Sequence, residues 1–322
     1  MSIYEPDEIN FEGVKGHRYW FYDFFPFTGV TEIDEQLSGF PVAIFLPQHR
    51  KVSATPLVIA LQGMAAPYGW NAFIVPTLTQ MGIAVALFDT PFAGERSLSR
   101  TFDGSIIKEI KPLIDRGIDF NTELLLWVFR RVARDITKVQ ELCCDRYCLD
   151  SSKLALFGVS MGVLETGFAF TCDGVGERLL GVIGHTNLQG FAQSWGGFLP
   201  KLATSPLGRI AEVLLDRLQP ELKPFIPLMQ FAQQLKQQDG YAWESNPMNY
   251  IERVKSPRRV RFLVGANDPL VSIRDARACA NCFADGACYV VPGMGHGNSN
   301  YGPQFVEHVR YFLTTQLGDW SG

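Results

Sequence analysis

The sequence has no excess of positive charge and no long apolar run. Its 29 Lys and Arg residues against 33 Asp and Glu residues give a formal net charge of −4, which argues against a general nucleic-acid-binding protein because such proteins carry a basic surface. No stretch reaches the roughly 18 apolar residues that a membrane-spanning helix needs. Charged residues make up 19% of the chain and hydrophobic residues 47%, which argues against intrinsic disorder.

The chain also lacks a visible export signal and a disulfide framework. Its first eight residues, MSIYEPDE, contain no apolar core of a signal peptide. The seven cysteines are odd in number and unevenly spaced, which favours reduced thiols. We therefore expect a cytoplasmic protein. A chain of 322 residues buries enough surface to need no disulfide or metal.

Two groups of cysteines have spacings that a zinc site could use: Cys279, Cys282 and Cys288, and Cys143, Cys144 and Cys148. Cys279 and Cys282 fall in a predicted helix without a nearby histidine, and free cysteine packs as a small hydrophobe. We therefore predict no metal site and no organic cofactor. Cys172 has no basic neighbour in the sequence that would activate its thiol.

Short apolar runs alternate with helical patterns, which predicts an α/β fold with a mostly parallel sheet flanked by helices. The predicted strands are 19–27, 40–46, 57–61, 83–88, 154–157, 179–183, 260–264 and 289–291, the first two forming an antiparallel edge. The main predicted helices are 70–81, interrupted near Pro76, a long helix capped by Asn121 and ending near Leu142, a helix after Ser160, and 303–317.

The segment 186–243 breaks this alternation, because it is helical in composition and offers no strand. We predict that it is an inserted helical cap, and that 1–185 and 244–322 together form one main domain. Its aromatic side chains either pack on the main domain or line an apolar pocket, and the sequence leaves both possibilities open. These residues are Phe191, Trp195, Phe198, Phe225, Phe231 and Trp243.

A nucleophile motif lies between a predicted strand and a predicted helix. Gly158 and Gly162 flank Ser160 at two positions on either side, in the pattern G-x-S-x-G. The turn that exposes such a serine is too tight for side chains at the flanking positions. The helix that follows would offer backbone N–H groups where negative charge develops.

Two further residues follow later strands in the order that a catalytic triad requires. Asp268 comes after the predicted strand 260–264, and His296 lies on a glycine-flanked loop after the strand 289–291. Ligands of open α/β sheets bind at the carboxyl ends of the strands, and a serine nucleophile needs a base and a group that orients it. Asp268 could alternatively cap the helix that follows it.

From about residue 42 to residue 317 the chain resembles the α/β-hydrolase superfamily. The resemblance is carried by four motifs: the elbow G-V-S-M-G at 158–162, the acid loop G-A-N-D-P at 265–269, the histidine loop G-M-G-H-G at 293–297, and the turn D-T-P-F-A-G-E-R at 89–96. The last is similar to the D-x-P-x-x-G-x-S turn of many members.

The resemblance implies that Ser160 is the nucleophile, His296 the general base and then acid, and Asp268 the orienting carboxylate. The backbone N–H groups of Met161 and Met64 would form the oxyanion hole.

The chain departs from the superfamily at Gln62, where many members have histidine before the oxyanion loop. It also departs at Arg96, where serine is common; we expect Glu95 and Arg96 to form a solvated loop pair. His185 ends the predicted strand 179–183 at the same edge, where it either meets substrate or makes an ordinary hydrogen bond.

The implied function is that of a serine hydrolase, specifically a carboxylic-ester hydrolase acting through an acyl-enzyme on an apolar or aromatic small-molecule ester. An acyltransferase, a thioesterase or a C–C bond hydrolase would use the same triad. A catalytically silent binding module is the alternative of a different class. A serine at position 160, rather than aspartate, disfavours a haloalkane dehalogenase or an epoxide hydrolase. The oligomeric state is left open.

Overall fold

The structure is a computed structural model, which describes residues 2–49, 54–100, 106–119, 121–194, 243–255, 258–296 and 302–320. Within these residues ten strands form one sheet: β1 (Ser2–Ile3), β2 (Asp7–Phe11), β3 (Val14–Tyr22), β4 (Gly39–Phe45), β5 (Leu57–Leu61), β6 (Ala84–Phe88), β7 (Leu154–Val159), β8 (Arg178–Val182), β9 (Arg259–Gly265) and β10 (Asp285–Val291). Their order is β1-β3-β4-β6-β5-β7-β8-β9-β10, and β2 pairs with β3.

Six neighbouring strands, from β6 to β10 in that order, are parallel, and β1 to β4 form an antiparallel edge. The flanking helices are α1 (Thr31–Ser38), α2 (Val75–Gln80), α3 (Ile106–Ile114), α4 (Thr122–Tyr147), α5 (Met161–Cys172), α6 (Ile273–Asn281) and α7 (Pro303–Leu317). Short 3₁₀ helices cover Tyr68–Ile74, Gly94–Arg96, Pro247–Arg253 and Gly318–Trp320. The predicted fold class is confirmed.

The sheet separates two apolar cores, and the side chains of its strands alternate between them. In β5, Leu57, Ile59 and Leu61 face the core formed with α4, α5 and α6, whereas Val58 and Ala60 face the core formed with α2 and α7. All five side chains are buried, as a continuous apolar run in a central parallel strand predicts.

The largest differences from the predicted elements lie at the antiparallel edge. Strand β3 begins at Val14 rather than at residue 19, and it pairs with β2 through a hairpin turn at Glu12 and Gly13, whose φ angles are 48° and 83°. Positive φ at both positions gives a tight turn, but the sequence Glu-Gly is a weaker signal for it than Asn-Gly or Asp-Gly. Helix α4 is capped by the Asn121 side chain, as predicted, and runs on to Tyr147.

Arg96 is fully buried, so the prediction of a solvated loop pair is wrong for this residue. Its guanidinium donates from Nη1 to Asp135 Oδ2 at 2.7 Å and from Nε to the Leu37 carbonyl oxygen at 2.8 Å. Arg131, also buried, lies 3.0 Å from the other oxygen of Asp135. Charged side chains are buried only when they are paired. The turn after β6 is therefore tied to α4 and to the end of α1.

Glu165 is a further buried ionisable group in the same region. It lies on α5 with 3% of its surface exposed, and its Oε2 atom has no hydrogen-bond partner among the described residues. Burial raises the pKa of Glu165 to about 8, and the attraction of Arg96 opposes the shift only in part. The carboxyl group is therefore mostly protonated at neutral pH.

This burial predicts a loss of stability as the pH rises from about 5 to about 8. Because the folded-state pKa of Glu165 is raised, its contribution is fully present below the ordinary value of 4.5 and is lost as the pH rises through about 8. Glu165→Gln imitates the protonated side chain without titrating. We expect its free energy of unfolding, measured by urea denaturation between about pH 5 and pH 9, to fall less than that of the wild type.

Glu141→Gln, a change at an exposed glutamate of α4, is the control and should follow the wild-type curve. Equal losses of stability over this pH range in the wild type and in Glu165→Gln would contradict the assignment.

Candidate active site

Ser160 occupies a strained turn between β7 and α5. Its φ is 53°, a region that non-glycine residues rarely adopt. A Cβ atom on Gly158 would lie 2.3 Å from the carbonyl oxygen of Gly162, and one on Gly162 would lie 2.6 Å from that of Gln62. Only glycine fits at either position. The Ser160 N–H donates to the Val182 carbonyl oxygen at 2.9 Å, which fixes the turn to β8.

A chain of hydrogen bonds connects Ser160, His296 and Asp268. Ser160 Oγ lies 2.9 Å from His296 Nε2. The other ring nitrogen, Nδ1, lies 2.9 Å from Asp268 Oδ2 and 3.0 Å from Oδ1. The Asp268 side chain has no exposed surface, and that of His296 is 16% exposed. The structure thus brings together the three residues that the sequence singled out.

The proton positions follow from what each group can donate. A carboxylate only accepts hydrogen bonds, so Nδ1 of His296 carries the proton that Asp268 accepts. In the neutral ring, Nε2 is then left with a lone pair that accepts the hydrogen bond of the Ser160 hydroxyl. This arrangement makes His296 able to take the proton of Ser160 as the hydroxyl attacks an electrophile.

Backbone contacts between the acid loop and the histidine loop set the distance between Asp268 and His296. The Ala266 N–H donates to the Val291 carbonyl oxygen at 2.9 Å, and the Asn267 N–H donates to that of Met294 at 3.0 Å. A Cβ atom on Gly265 would lie 2.1 Å from the same oxygen of Met294, so the two loops approach as closely as glycine allows.

The Asp268 carboxylate also accepts the N–H groups of Leu270 and Val271, at 2.8 and 2.9 Å. Helix α6 is capped by Ser272 instead. Asp268 therefore orders its own loop and faces His296, and the prediction that it could cap the next helix is wrong.

The loop that follows β5 lies beside Ser160. A Cβ atom on Gly63 would be in ordinary contact with Ser160 Cβ, at 3.5 Å, and Met64 is the next residue. The loop is closed by a hydrogen bond from the Ala66 N–H to the Gly63 carbonyl oxygen at 3.2 Å. Met161, on the other side, is the first residue of α5. Their N–H groups as an oxyanion hole remain a prediction.

His185 lies at the edge where the site is formed, and it is completely buried. Its Nδ1 accepts the Asn187 N–H at 3.2 Å, and Nε2 has no partner among the described residues. Burial lowers the pKa of His185 to about 4, although the nearby Asp275 and Asp268 favour its charged form. His185 is therefore neutral at physiological pH.

The cysteines are free thiols: Cys143, Cys144, Cys148, Cys172, Cys279, Cys282 and Cys288. Among the described residues, no three His, Cys, Asp or Glu side chains are grouped as metal ligands would be. The structure does give Cys172 a basic neighbour, since Arg253 Nη1 lies 3.8 Å from its Sγ atom. Burial nevertheless raises the pKa of the Cys172 thiol, which disfavours the reactive thiolate.

Much of the predicted cap, residues 195–242 with Trp195, Phe198, Phe225 and Phe231, lies outside the described residues. Phe191 and Trp243, at its two ends, are buried in the core on the α5 face. Two cavities, of about 1230 and 480 Å³, lie along the β2–β3 hairpin and are not lined by Ser160, Asp268 or His296. The cap and its boundaries remain predictions.

No family model and no curated protein matches this sequence. Solved structures do match the fold. A cold-adapted esterase from an Arctic intertidal metagenomic library is 13% identical with a TM-score of 0.56, over 98% of this chain and 99% of that one. The acetyl xylan esterase from Paenibacillus sp. R4 is 16% identical with a TM-score of 0.58, over 97% and 88%. This chain has the α/β-hydrolase fold.

The likeness extends to larger proteins with the α/β-hydrolase fold. The acylaminoacyl peptidase of Pyrococcus horikoshii is 12% identical with a TM-score of 0.56, and the match covers 99% of this chain but 42% of the peptidase. At such identities the comparison establishes the fold alone, and the chemistry has to be inferred from the geometry of the site.

The close approach at the elbow predicts that Gly158→Ala disturbs the turn. The added methyl group would meet backbone atoms of Gly162, which cannot rotate away, so we expect a loss of about 1–3 kcal/mol in the free energy of unfolding. Gly69→Ala is the matched control, because a Cβ atom there has nothing within 4 Å. Chemical denaturation of both variants measures the difference. A Gly158→Ala variant as stable as Gly69→Ala would contradict the tight packing of the elbow.

Proposed function

We propose that the protein is a serine hydrolase that cleaves a carboxylic ester through an acyl-enzyme on Ser160. The observation that carries the proposal is the aligned hydrogen-bond chain, with Ser160 Oγ 2.9 Å from His296 Nε2 and His296 Nδ1 2.9 Å from Asp268 Oδ2. These contacts are within the reach required of a nucleophile, its base and the group that orients the base.

In the first half-reaction, Ser160 Oγ attacks the carbonyl carbon of the ester while His296 Nε2 takes the hydroxyl proton. The oxyanion that forms would accept hydrogen bonds from the backbone N–H groups of Met64 and Met161. When the tetrahedral intermediate collapses, the C–O bond breaks and the leaving alcohol takes the proton from His296. The acyl group remains on Ser160.

In the second half-reaction, a water molecule attacks the acyl-enzyme and gives its proton to His296. The second tetrahedral intermediate releases the carboxylic acid, and His296 returns its proton to Ser160. Throughout both steps Asp268 keeps the imidazole in one tautomer and stabilises its charged form. The cycle consumes one water molecule and needs no cofactor.

Two observations support the choice of an ester: the names of the fold neighbours and the composition of this chain. Two neighbours are named as esterases, and one is named as an acylaminoacyl peptidase. We propose an apolar or aromatic small-molecule ester because of the aromatic content of the segment 186–243. Free thiols at all seven cysteines support a cytoplasmic location. No helix in the described part of the chain is long and apolar enough to cross a bilayer.

The test is covalent labelling together with ester turnover. We expect a fluorophosphonate probe to label the wild type, and a panel of short and long nitrophenyl esters to be hydrolysed. Ser160→Ala should abolish labelling and lower kcat on the order of 10⁶-fold, because the nucleophile is removed. His296→Ala should also lower kcat strongly. Ser152→Ala, at an exposed serine in the turn before β7, is the matched control and should behave as the wild type.

Each outcome separates the alternatives. Labelling that persists in Ser160→Ala would overturn the nucleophile. Wild-type labelling without ester turnover would point to an acyltransferase, a thioesterase or a C–C bond hydrolase, to be tested with thioesters and added acyl acceptors. A wild type that neither labels nor hydrolyses any ester would favour the binding module.

A further inference from the structure

Asp89 lies directly after β6, and its carboxylate joins two loops. The side chain is buried, with 1% of the residue exposed. Oδ1 accepts the backbone N–H of Tyr68 at 2.7 Å, and Oδ2 accepts that of Glu95 at 2.8 Å. Each carboxylate oxygen therefore binds a backbone N–H of a different loop.

The Tyr68 N–H marks the exit of the loop beside Ser160. This loop runs from Gly63 through Met64 to Pro67, and Tyr68 begins the 3₁₀ helix that follows. Ala65, at its centre, has a φ of 59°, which is unusual for alanine. The turn between Gly63 and Ala66 closes the loop internally, and the bond to Asp89 attaches its far end to the rest of the protein.

Asp89 is itself held firmly on the side away from the loop. A Cβ atom on Gly94, whose φ is +49°, would lie 2.2 Å from both oxygens of the carboxylate, so the turn closes around it. Arg96 Nη1 donates to the Asp89 carbonyl oxygen at 3.2 Å, and Arg96 is in turn bound to Asp135 and Leu37. The carboxylate is therefore anchored to the buried ionic network.

The charge state suits this role. Burial raises the pKa of Asp89 to about 6, while the N–H groups of Glu95 and Tyr68 and the Arg96 guanidinium oppose the shift. Above that pH the group is a carboxylate, and both oxygens accept. An asparagine would instead turn its NH₂ group toward one of the two N–H donors.

We propose that Asp89 is a positioning residue for the oxyanion hole: it holds the Gly63–Pro67 loop in the conformation that aims the Met64 N–H at the substrate oxygen. This inference rests on the proposed function, since an oxyanion hole has a use only in acyl transfer. Because such a hole acts mainly on the transition state, loosening it lowers kcat more than it changes KM.

The first test is Asp89→Asn in the full chain, with kcat and KM measured on the best nitrophenyl ester at about pH 8. We expect kcat to fall about 10- to 100-fold while KM changes less than about threefold. The control is Glu109→Gln. Glu109 is another buried carboxylate that accepts a loop N–H, that of Leu98 at 2.6 Å, but it makes no described contact with the Gly63–Pro67 loop. It should lose stability without a comparable loss of kcat.

A second pair of variants tests the donor and covers the case in which Asp89→Asn does not fold. Tyr68→Pro removes the tyrosine side chain together with the N–H that binds Asp89, at the first position of a helix, where proline is tolerated. Tyr68→Ala removes the same side chain and keeps the N–H. We expect kcat of Tyr68→Pro to be at least about tenfold below that of Tyr68→Ala, with similar KM.

The positioning role of Asp89 would be overturned by equal kcat in Tyr68→Pro and Tyr68→Ala. It would also be overturned by a loss of kcat in Glu109→Gln as large as in Asp89→Asn. In either case, labelling and turnover by the wild type would still support a serine hydrolase. A wild type without labelling or turnover would overturn both.

Discussion

The backbone of β7 approaches the start of α5 more closely than any side chain would permit, and the geometry of the site follows from that approach. Gly158 faces Gly162, and Gly162 faces the end of β5. Ser160 is left at the outer point of the turn with positive φ. The strain is maintained because the flanking strands hold the turn on both sides, with the Ser160 N–H bound to β8.

His296 and Asp268 are positioned by a different kind of contact. The loop after β9 donates backbone hydrogen bonds from Ala266 and Asn267 to the end of β10 and the loop after it, so Asp268 and His296 are held relative to each other. The Ser160 hydroxyl completes the hydrogen-bond chain by donating to His296 Nε2. Ser160 and the Asp268–His296 pair are thus joined by this side-chain hydrogen bond and by the sheet, in which β7, β8, β9 and β10 are successive neighbours.

The turn after β6, which Asp89 joins to the Gly63–Pro67 loop, is held by a buried ionic network that an apolar core would not need. Asp135 pairs with both Arg96 and Arg131. Buried ion pairs contribute little to net stability because desolvation offsets their attraction, but removing one partner is strongly destabilising because it leaves an uncompensated charge. Here the network holds the turn after β6 through Arg96, and Asp89 connects that turn to the loop next to Ser160.

The central strands could be predicted from the sequence because buried parallel strands are continuous apolar runs, and β5 was found at its true bounds. The order of Ser160, Asp268 and His296 could also be recognised, since each follows such a run. The burial of Arg96 could not, because its partner Asp135 is 39 residues away in the sequence and adjacent only after folding. The proposed role of Asp89 could not be predicted for the same reason. The motif at 89–96 was visible in the sequence, but the N–H that the Asp89 carboxylate binds belongs to Tyr68, 21 residues earlier.

The central claim is that the Ser160 hydroxyl becomes covalently modified during the reaction. Reaction of the native protein with diisopropyl fluorophosphate, followed by trypsin digestion and fragment mass spectrometry, tests it directly. The tryptic peptide 154–178 contains Ser160. The account predicts one diisopropylphosphoryl group, located on Ser160, and none after prior unfolding, because only the folded triad activates the hydroxyl. A modification on any other residue, or an unmodified peptide 154–178 from folded protein that hydrolyses esters, would contradict it.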